Sequence, residues 1–94
     1  MSELSETAVP SLARGVRVQM DAATGEPVLV YPEGVLFLNE TAHAVVQRCD
    51  GRATIAVIAA SLAEDFDADP DTLLADVLEC VTDLKQRRLI LLQP

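Results

Sequence analysis

Hydrophobic and polar positions alternate in the first part of the chain, and this pattern predicts short β-strands. Between residues 16 and 20 every second side chain is apolar, as in a strand with one solvated face. Residues 28–31 and 35–38 are runs of β-branched, aromatic and aliphatic side chains, separated by a Pro-Glu-Gly turn at residues 32–34. Together the three segments predict a small antiparallel meander.

After the third strand the hydrophobic period lengthens to that of helices. Asn39 suits the N-cap of a first helix over residues 40–48, because its side-chain oxygen can accept a hydrogen bond from a free N–H of the first turn. Gly51 suits the left-handed position that follows a helix. Thr54 then caps a second helix, whose apolar residues recur at helical spacing up to Phe66.

The third predicted helix begins at Pro70, after the cap residue Asp69, and ends among residues 85–88. Its apolar face is wider than one packing contact requires. We expect one side of it to face the other helices, with Leu74, Leu78 and Val81. The flank is expected beside the sheet, with Leu73, Val77, Cys80 and Leu84. Residues 89–92 are either a short strand or an apolar tail packed on the core.

The chain has 94 residues, 50% of them hydrophobic and 3% aromatic, which allows one small domain with an aliphatic core. Residues 1–13 are polar and without a sustained period, so we predict a flexible lead-in there and one α+β domain over residues 14–94. The apolar runs are far shorter than the roughly 20 residues of a membrane span. A basic region followed by an apolar core is absent from the N-terminus, which favours a cytoplasmic location.

Charge and residue types argue against nucleic acid, metal and catalysis. The net charge is −8, and nucleic-acid affinity depends on Lys and Arg. A sheet followed by three helices is typical of winged-helix proteins, whose recognition helix enters DNA, but the third helix here carries Asp71, Asp76, Glu79 and Asp83. One histidine, His43, and two cysteines, Cys49 and Cys80, do not favour a zinc site of Cys and His. We expect no catalytic residue, metal or cofactor.

An edge strand beside a helix with surplus apolar surface remains as the candidate functional feature. Such a pair can bind an extended peptide by strand addition, with main-chain hydrogen bonds giving affinity and side-chain pockets giving specificity. Two alternatives stay open at this point. The chain's own N-terminal segment or a second copy of the protein could cover the strand edges, or the domain could be a structural scaffold without a groove.

Several short motifs in order resemble the PqqD family, the pyrroloquinoline quinone biosynthesis protein D. They are Tyr31-Pro32-Glu33-Gly34, then Leu38-Asn39 with Thr41-Ala42, then Cys49-Asp50-Gly51, and finally Asp76-Val77. The resemblance covers roughly residues 10–92. It implies a winged-helix-like fold and a peptide chaperone that is not itself an enzyme.

The resemblance also implies partners and a binding site. Such a protein captures a precursor peptide as an added strand between its third strand and third helix, and presents it to a radical S-adenosylmethionine enzyme. Carried onto this sequence, the groove is lined by Val35, Leu36, Phe37, Leu38, Leu73, Asp76, Val77, Cys80 and Leu84. A DNA-binding winged-helix regulator and a scaffold subunit are the alternative functions. Free strand edges also permit a homodimer by strand exchange.

Overall fold

The computed structural model describes residues 5–93, which form three helices and two small antiparallel sheets. The strands are β1 (Val9–Leu12), β2 (Arg17–Met20), β3 (Pro27–Tyr31), β4 (Gly34–Phe37) and β5 (Ile90–Gln93). The helices are α1 (Glu40–Gln47), α2 (Ile55–Phe66) and α3 (Pro70–Gln86). The α+β class is therefore confirmed. Within residues 5–93, every helix is too short or too polar to cross a bilayer.

The predicted meander is present as a three-stranded sheet in the order β2-β3-β4. Its second hairpin is tight, with Tyr31 opposite Gly34 and Leu29 opposite Leu36. Leu29 is fully buried, and Leu36 packs beside it against the core. The face that carries these leucines therefore points inward, and the opposite face of the sheet carries Val35 and Phe37.

The chain ends form a second sheet that we did not predict. β1 pairs antiparallel with β5, with Val9 opposite Gln93 and Leu12 opposite Ile90. The predicted flexible lead-in is thus wrong for residues 9–12, and residues 1–4 lie outside the described part of the chain. The lead-in shows no alternation because Pro10 interrupts it, and its partner lies at the other end of the sequence. Residues 90–93 form the strand that was one of two predicted options.

Side-chain caps start all three helices where the sequence predicts. The Ala42 N–H donates to Asn39 Oδ1 at 2.7 Å, and the Val57 N–H donates to Thr54 Oγ1 at 3.1 Å. At the start of α3 the Thr72 N–H donates to Asp69 Oδ2 at 3.0 Å. The end of α1 differs from prediction, because Arg48 is its C-cap and Gly51, with φ of +80°, lies farther along the loop. The Gly51 N–H there donates to the Pro10 carbonyl at 3.0 Å, so its conformation serves to dock β1.

The core lies between the helices, and α3 is its central element. This helix packs on α2, α1 and β5. Its buried residues are Leu73, Val77, Val81 and Leu84, whereas Leu74 and Leu78 are only partly buried. The leucines and Val77 are therefore on the opposite sides of α3 from our prediction, whereas Val81 is buried and Cys80 only partly buried, as predicted. The spacing of apolar residues predicts that a helix forms. Which of those residues become fully buried depends on the elements that pack against the helix.

Burial of Val77 predicts a clear difference between two valine substitutions. Val77 is 0% exposed and Val57, on α2, is 57% exposed. Val77→Ala should lower the free energy of unfolding by about 2 kcal/mol, because it leaves a cavity in the core. Val57→Ala should change it by less than about 0.5 kcal/mol. Urea denaturation of both variants measures this, and equal losses would contradict the assigned core.

Candidate functional site

The outer edge of β4 is free of any strand partner within residues 5–93. The Leu38 N–H donates to the Pro27 carbonyl at 3.1 Å, which places this residue pair among those that bond across the hairpin. Hydrogen-bonded and non-bonded pairs alternate along an antiparallel ladder. Leu36 therefore bonds to β3, while Val35 and Phe37 direct their N–H and C=O groups to the free edge.

Exposed apolar side chains accompany this free edge. Val35 and Phe37 are 52% and 53% exposed, Leu36 is half-buried, and Leu38 is buried. Unpaired edge groups are a template for another extended chain, and apolar side chains beside them can be covered by it. β4 thus offers both main-chain and side-chain contacts.

A depression of about 550 Å³, the acidic pocket, lies between the start of α1 and the middle of α3. Its polar character comes from three carboxylates that recur on one face of α3. It is lined by Asn39, Thr41 and Ala42 at the start of α1, and by Asp76, Glu79, Cys80 and Asp83 of α3. The first lining residue, Asn39, follows the end of β4 by two residues.

The predicted groove residues divide into surface and core. Asp76 and Cys80 line the acidic pocket. Their role as peptide contacts stays a prediction. The accessible flank that we placed at Leu73, Val77 and Leu84 is wrong, because all three are buried in the core. Sequence reasoning missed Glu79 and Asp83 as lining residues, although their spacing from Asp76 places the three on one helix face. In the sequence these acids served only as an argument against DNA binding.

A second depression of about 500 Å³, the basic pocket, lies at the opposite end of β4. The β3–β4 turn and the end of α3 border it. Its lining residues are Arg14, Val16, Tyr31, Pro32, Glu33, Arg87, Arg88 and Leu89. Glu33, the motif residue without a predicted structural role, is exposed and belongs to this pocket.

Both cysteine thiols are held in the protonated state. Burial, with the charges of Asp83 and Glu79, raises the pKa of Cys80 to about 11. Burial, with smaller effects of Cys80 and Asp50, raises the pKa of Cys49 to about 12. The Cys49 thiol also donates to the Val45 carbonyl at 3.3 Å. Neither thiol is an activated nucleophile at neutral pH.

Sequence comparisons agree on one family. The family model described as coenzyme PQQ synthesis protein D (PqqD) matches residues 26–90. A PqqA binding protein of Xanthomonas campestris pv. campestris (strain B100) is 45% identical over 90 residues, which are 96% of this chain and 98% of the relative. A PqqA binding protein of Xanthomonas oryzae pv. oryzae (strain PXO99A) has the same identity and coverage.

Two solved structures are similar to this one. The first is the solution NMR structure of the PqqD truncation of Methylobacterium extorquens PqqCD, which represents a functional and stand-alone recognition element for ribosomally synthesized and post-translationally modified peptides. It is 40% identical, covers 88% of each chain and has a TM-score of 0.77. The crystal structure of PqqD from Xanthomonas campestris is 44% identical, covers 92% of this chain and 96% of the other, and has a TM-score of 0.59.

The raised pKa of Cys80 predicts slow alkylation. In a Cys49→Ala variant, the iodoacetamide reaction of Cys80 should be roughly a hundredfold slower at pH 8 than that of a solvated thiol, because so little thiolate is present. The rate should rise with pH up to about 11. Mass spectrometry at a series of pH values measures it, and a plateau near pH 8.5 would contradict the buried position.

Proposed function

Because this chain belongs to the family of coenzyme PQQ synthesis protein D, we propose that it binds the peptide PqqA in pyrroloquinoline quinone biosynthesis. The names of the Xanthomonas relatives and the recognition-element role of the Methylobacterium structure support this ligand class. The observation that carries the proposal is the free edge of β4, which ends at a pocket on α3. In this proposal the described chain acts as one peptide-recognition domain.

The peptide adds to β4 as a further strand. Val35 and Phe37 supply up to four main-chain hydrogen bonds, each with a net contribution of about 0.5–1.5 kcal/mol. Neighbouring strands lie about 4.8 Å apart, so the added strand occupies the space between β4 and α3. Alternate peptide side chains then point to the acidic pocket, where Asp76 and Cys80 meet them.

The captured peptide is presented to a radical S-adenosylmethionine enzyme, which carries out the chemistry. No bond-making step is assigned to this chain, and the raised pKa of both thiols agrees with that division of labour. An added strand keeps its outer edge open, so the enzyme can contact the peptide while it stays bound. The two free cysteines, Cys49 and Cys80, suit a cytoplasmic location, where thiols stay reduced.

A homodimer by strand exchange is the competing state in this proposal. The free β4 edge that accepts a peptide also accepts a strand from a second copy of the chain. Peptide binding and self-association would therefore exclude each other at this edge. Peptide titration during sedimentation-velocity measurements should convert dimer to monomer, and a dimer that binds peptide without dissociating would contradict this competition.

A proline substitution at the free edge tests strand addition directly. Val35→Pro removes one outward N–H and leaves the bonds to β3 in place, because edge positions tolerate proline. We expect PqqA affinity to fall at least about tenfold, since the peptide loses a hydrogen bond and one of its carbonyls stays unpaired. Isothermal titration calorimetry measures the affinity, and circular dichroism checks the fold.

Two control variants separate the main chain from the side chain. Val35→Ala shortens the side chain but keeps the N–H, so it should bind PqqA within about threefold of the parent protein. Leu36→Pro removes an N–H that bonds to β3 and should lower the melting temperature instead. If Val35→Pro folds and binds PqqA like the parent protein, the peptide does not pair with this edge. Binding of duplex DNA by the parent protein would favour the regulator alternative.

A further inference from the structure

The charge of the groove reverses between the two ends of β4. At the end where β4 stops, the acidic pocket carries three carboxylates of α3. At the end where β4 begins, the basic pocket carries three guanidinium groups and the single carboxylate of Glu33, so its net charge is positive. The acidic residues are Asp76, Glu79 and Asp83, and the basic residues are Arg14, Arg87 and Arg88. Residues of α3 border the acidic pocket and residues of the loop that follows it border the basic pocket, and the pockets are completed by the start of α1 at one end and by the β3–β4 turn at the other.

The concentration of cations in one place is unusual for this chain. The protein has only seven Lys and Arg residues against fifteen Asp and Glu, and three of the seven border the basic pocket. Arg87 is paired with Asp83, Nε to Oδ2 at 3.0 Å, so one cation of the basic pocket and one carboxylate of the acidic pocket already neutralise each other. Within the described part of the chain, Arg14 and Arg88 form no ion pair within 4.0 Å. Their positive charge is therefore available to an acidic ligand group.

The spacing of the pockets corresponds to a short stretch of extended peptide. Glu79 and Arg88 are nine positions apart along α3 and its end. At about 1.5 Å per helical residue, that separation is roughly 13 Å. An extended chain rises about 3.3 Å per residue, so about four residues cover the distance. Side chains four residues apart on a strand point to the same face.

We propose that the groove selects an extended peptide segment with a cationic and an acidic side chain four residues apart. The cation lies in the acidic pocket and the acid lies beside Arg14 and Arg88. This inference rests on the proposed function, and it adds the direction in which the bound peptide runs along β4. Main-chain pairing alone can form with the peptide running either way, whereas complementary charges are satisfied in one direction only.

Two short synthetic peptides test the selection. Both have a Thr-rich host sequence with blocked ends and carry one Lys and one Glu. The two charges are four residues apart in the first peptide and three residues apart in the second, where they point to opposite faces of a strand. At low ionic strength we expect the parent protein to prefer the four-residue spacing by at least about threefold, because only this spacing lets both charges pair at once. Fluorescence anisotropy of labelled peptides measures the two affinities. Equal affinities would overturn the proposal.

A charge-exchanged protein provides the decisive comparison. The double variant Glu79→Lys with Arg88→Glu keeps the net charge of −8 and should abolish the preference between the peptides, because it lowers the magnitude of the charge in both pockets. Its control, Glu64→Lys with Arg52→Glu, makes the same exchange at exposed positions outside both pockets and should keep the parent preference. An unchanged preference in the first variant, or a lost one in the second, would overturn the pocket assignment.

The result for PqqA distinguishes this inference from the function on which it rests. Binding of PqqA without any preference between the Lys/Glu peptides would overturn charge selection and leave peptide capture intact. If neither PqqA nor either synthetic peptide binds, both the proposed function and the inference fail. Loss of the peptide preference at high salt, with PqqA still bound, would support the electrostatic origin of the selection.

Discussion

Burial of one stripe of α3 is the interaction on which the rest of the structure depends. Val77 and Val81 are fully buried, and the helix around them touches α1, α2 and β5. With 3.6 residues per turn, two positions along the helix correspond to about 200°, so Glu79 points nearly opposite to Val77 and Asp83 nearly opposite to Val81, away from the core. The wall of the groove is therefore positioned by the packing behind it. Charged residues can line the groove because none of them contributes to that packing.

The small sheet formed by the chain ends has a comparable role for the other pocket. The Ala13 N–H donates to the Leu89 carbonyl at 2.9 Å, directly after β1 and before β5. This contact holds Arg14 next to the end of α3, although the two are far apart in sequence. Pairing of β1 with β5 thus brings together cations that come from opposite ends of the chain. The basic pocket therefore depends on the pairing of two strands that are far apart in sequence.

Local signals in the sequence were sufficient for most of the fold, and non-local contacts account for the errors. The caps Asn39, Thr54 and Asp69 act within three residues of themselves, so their chemistry is visible in the sequence. The partner of β1 and the covered stripe of α3 depend on distant elements, which no period reveals. For the candidate site, the resemblance and the pattern predicted β4, Asp76 and Cys80, which the structure leaves accessible. They misplaced Leu73, Val77 and Leu84, because an apolar residue beside a groove and one in the core look alike in sequence.

The direction of the main-chain groups of β4 has a consequence for how a bound chain is held. The N–H and C=O groups of Val35 and Phe37 point to the free edge, and those of Leu36 between them point to β3. Backbone groups are the same at every position, so a partner strand can slip by two residues and make the same bonds with the same side-chain face inward. The edge by itself therefore accepts a partner strand in several registers that differ by two residues. In the proposed complex, the partner's side chains select a single register because they fit the two pockets.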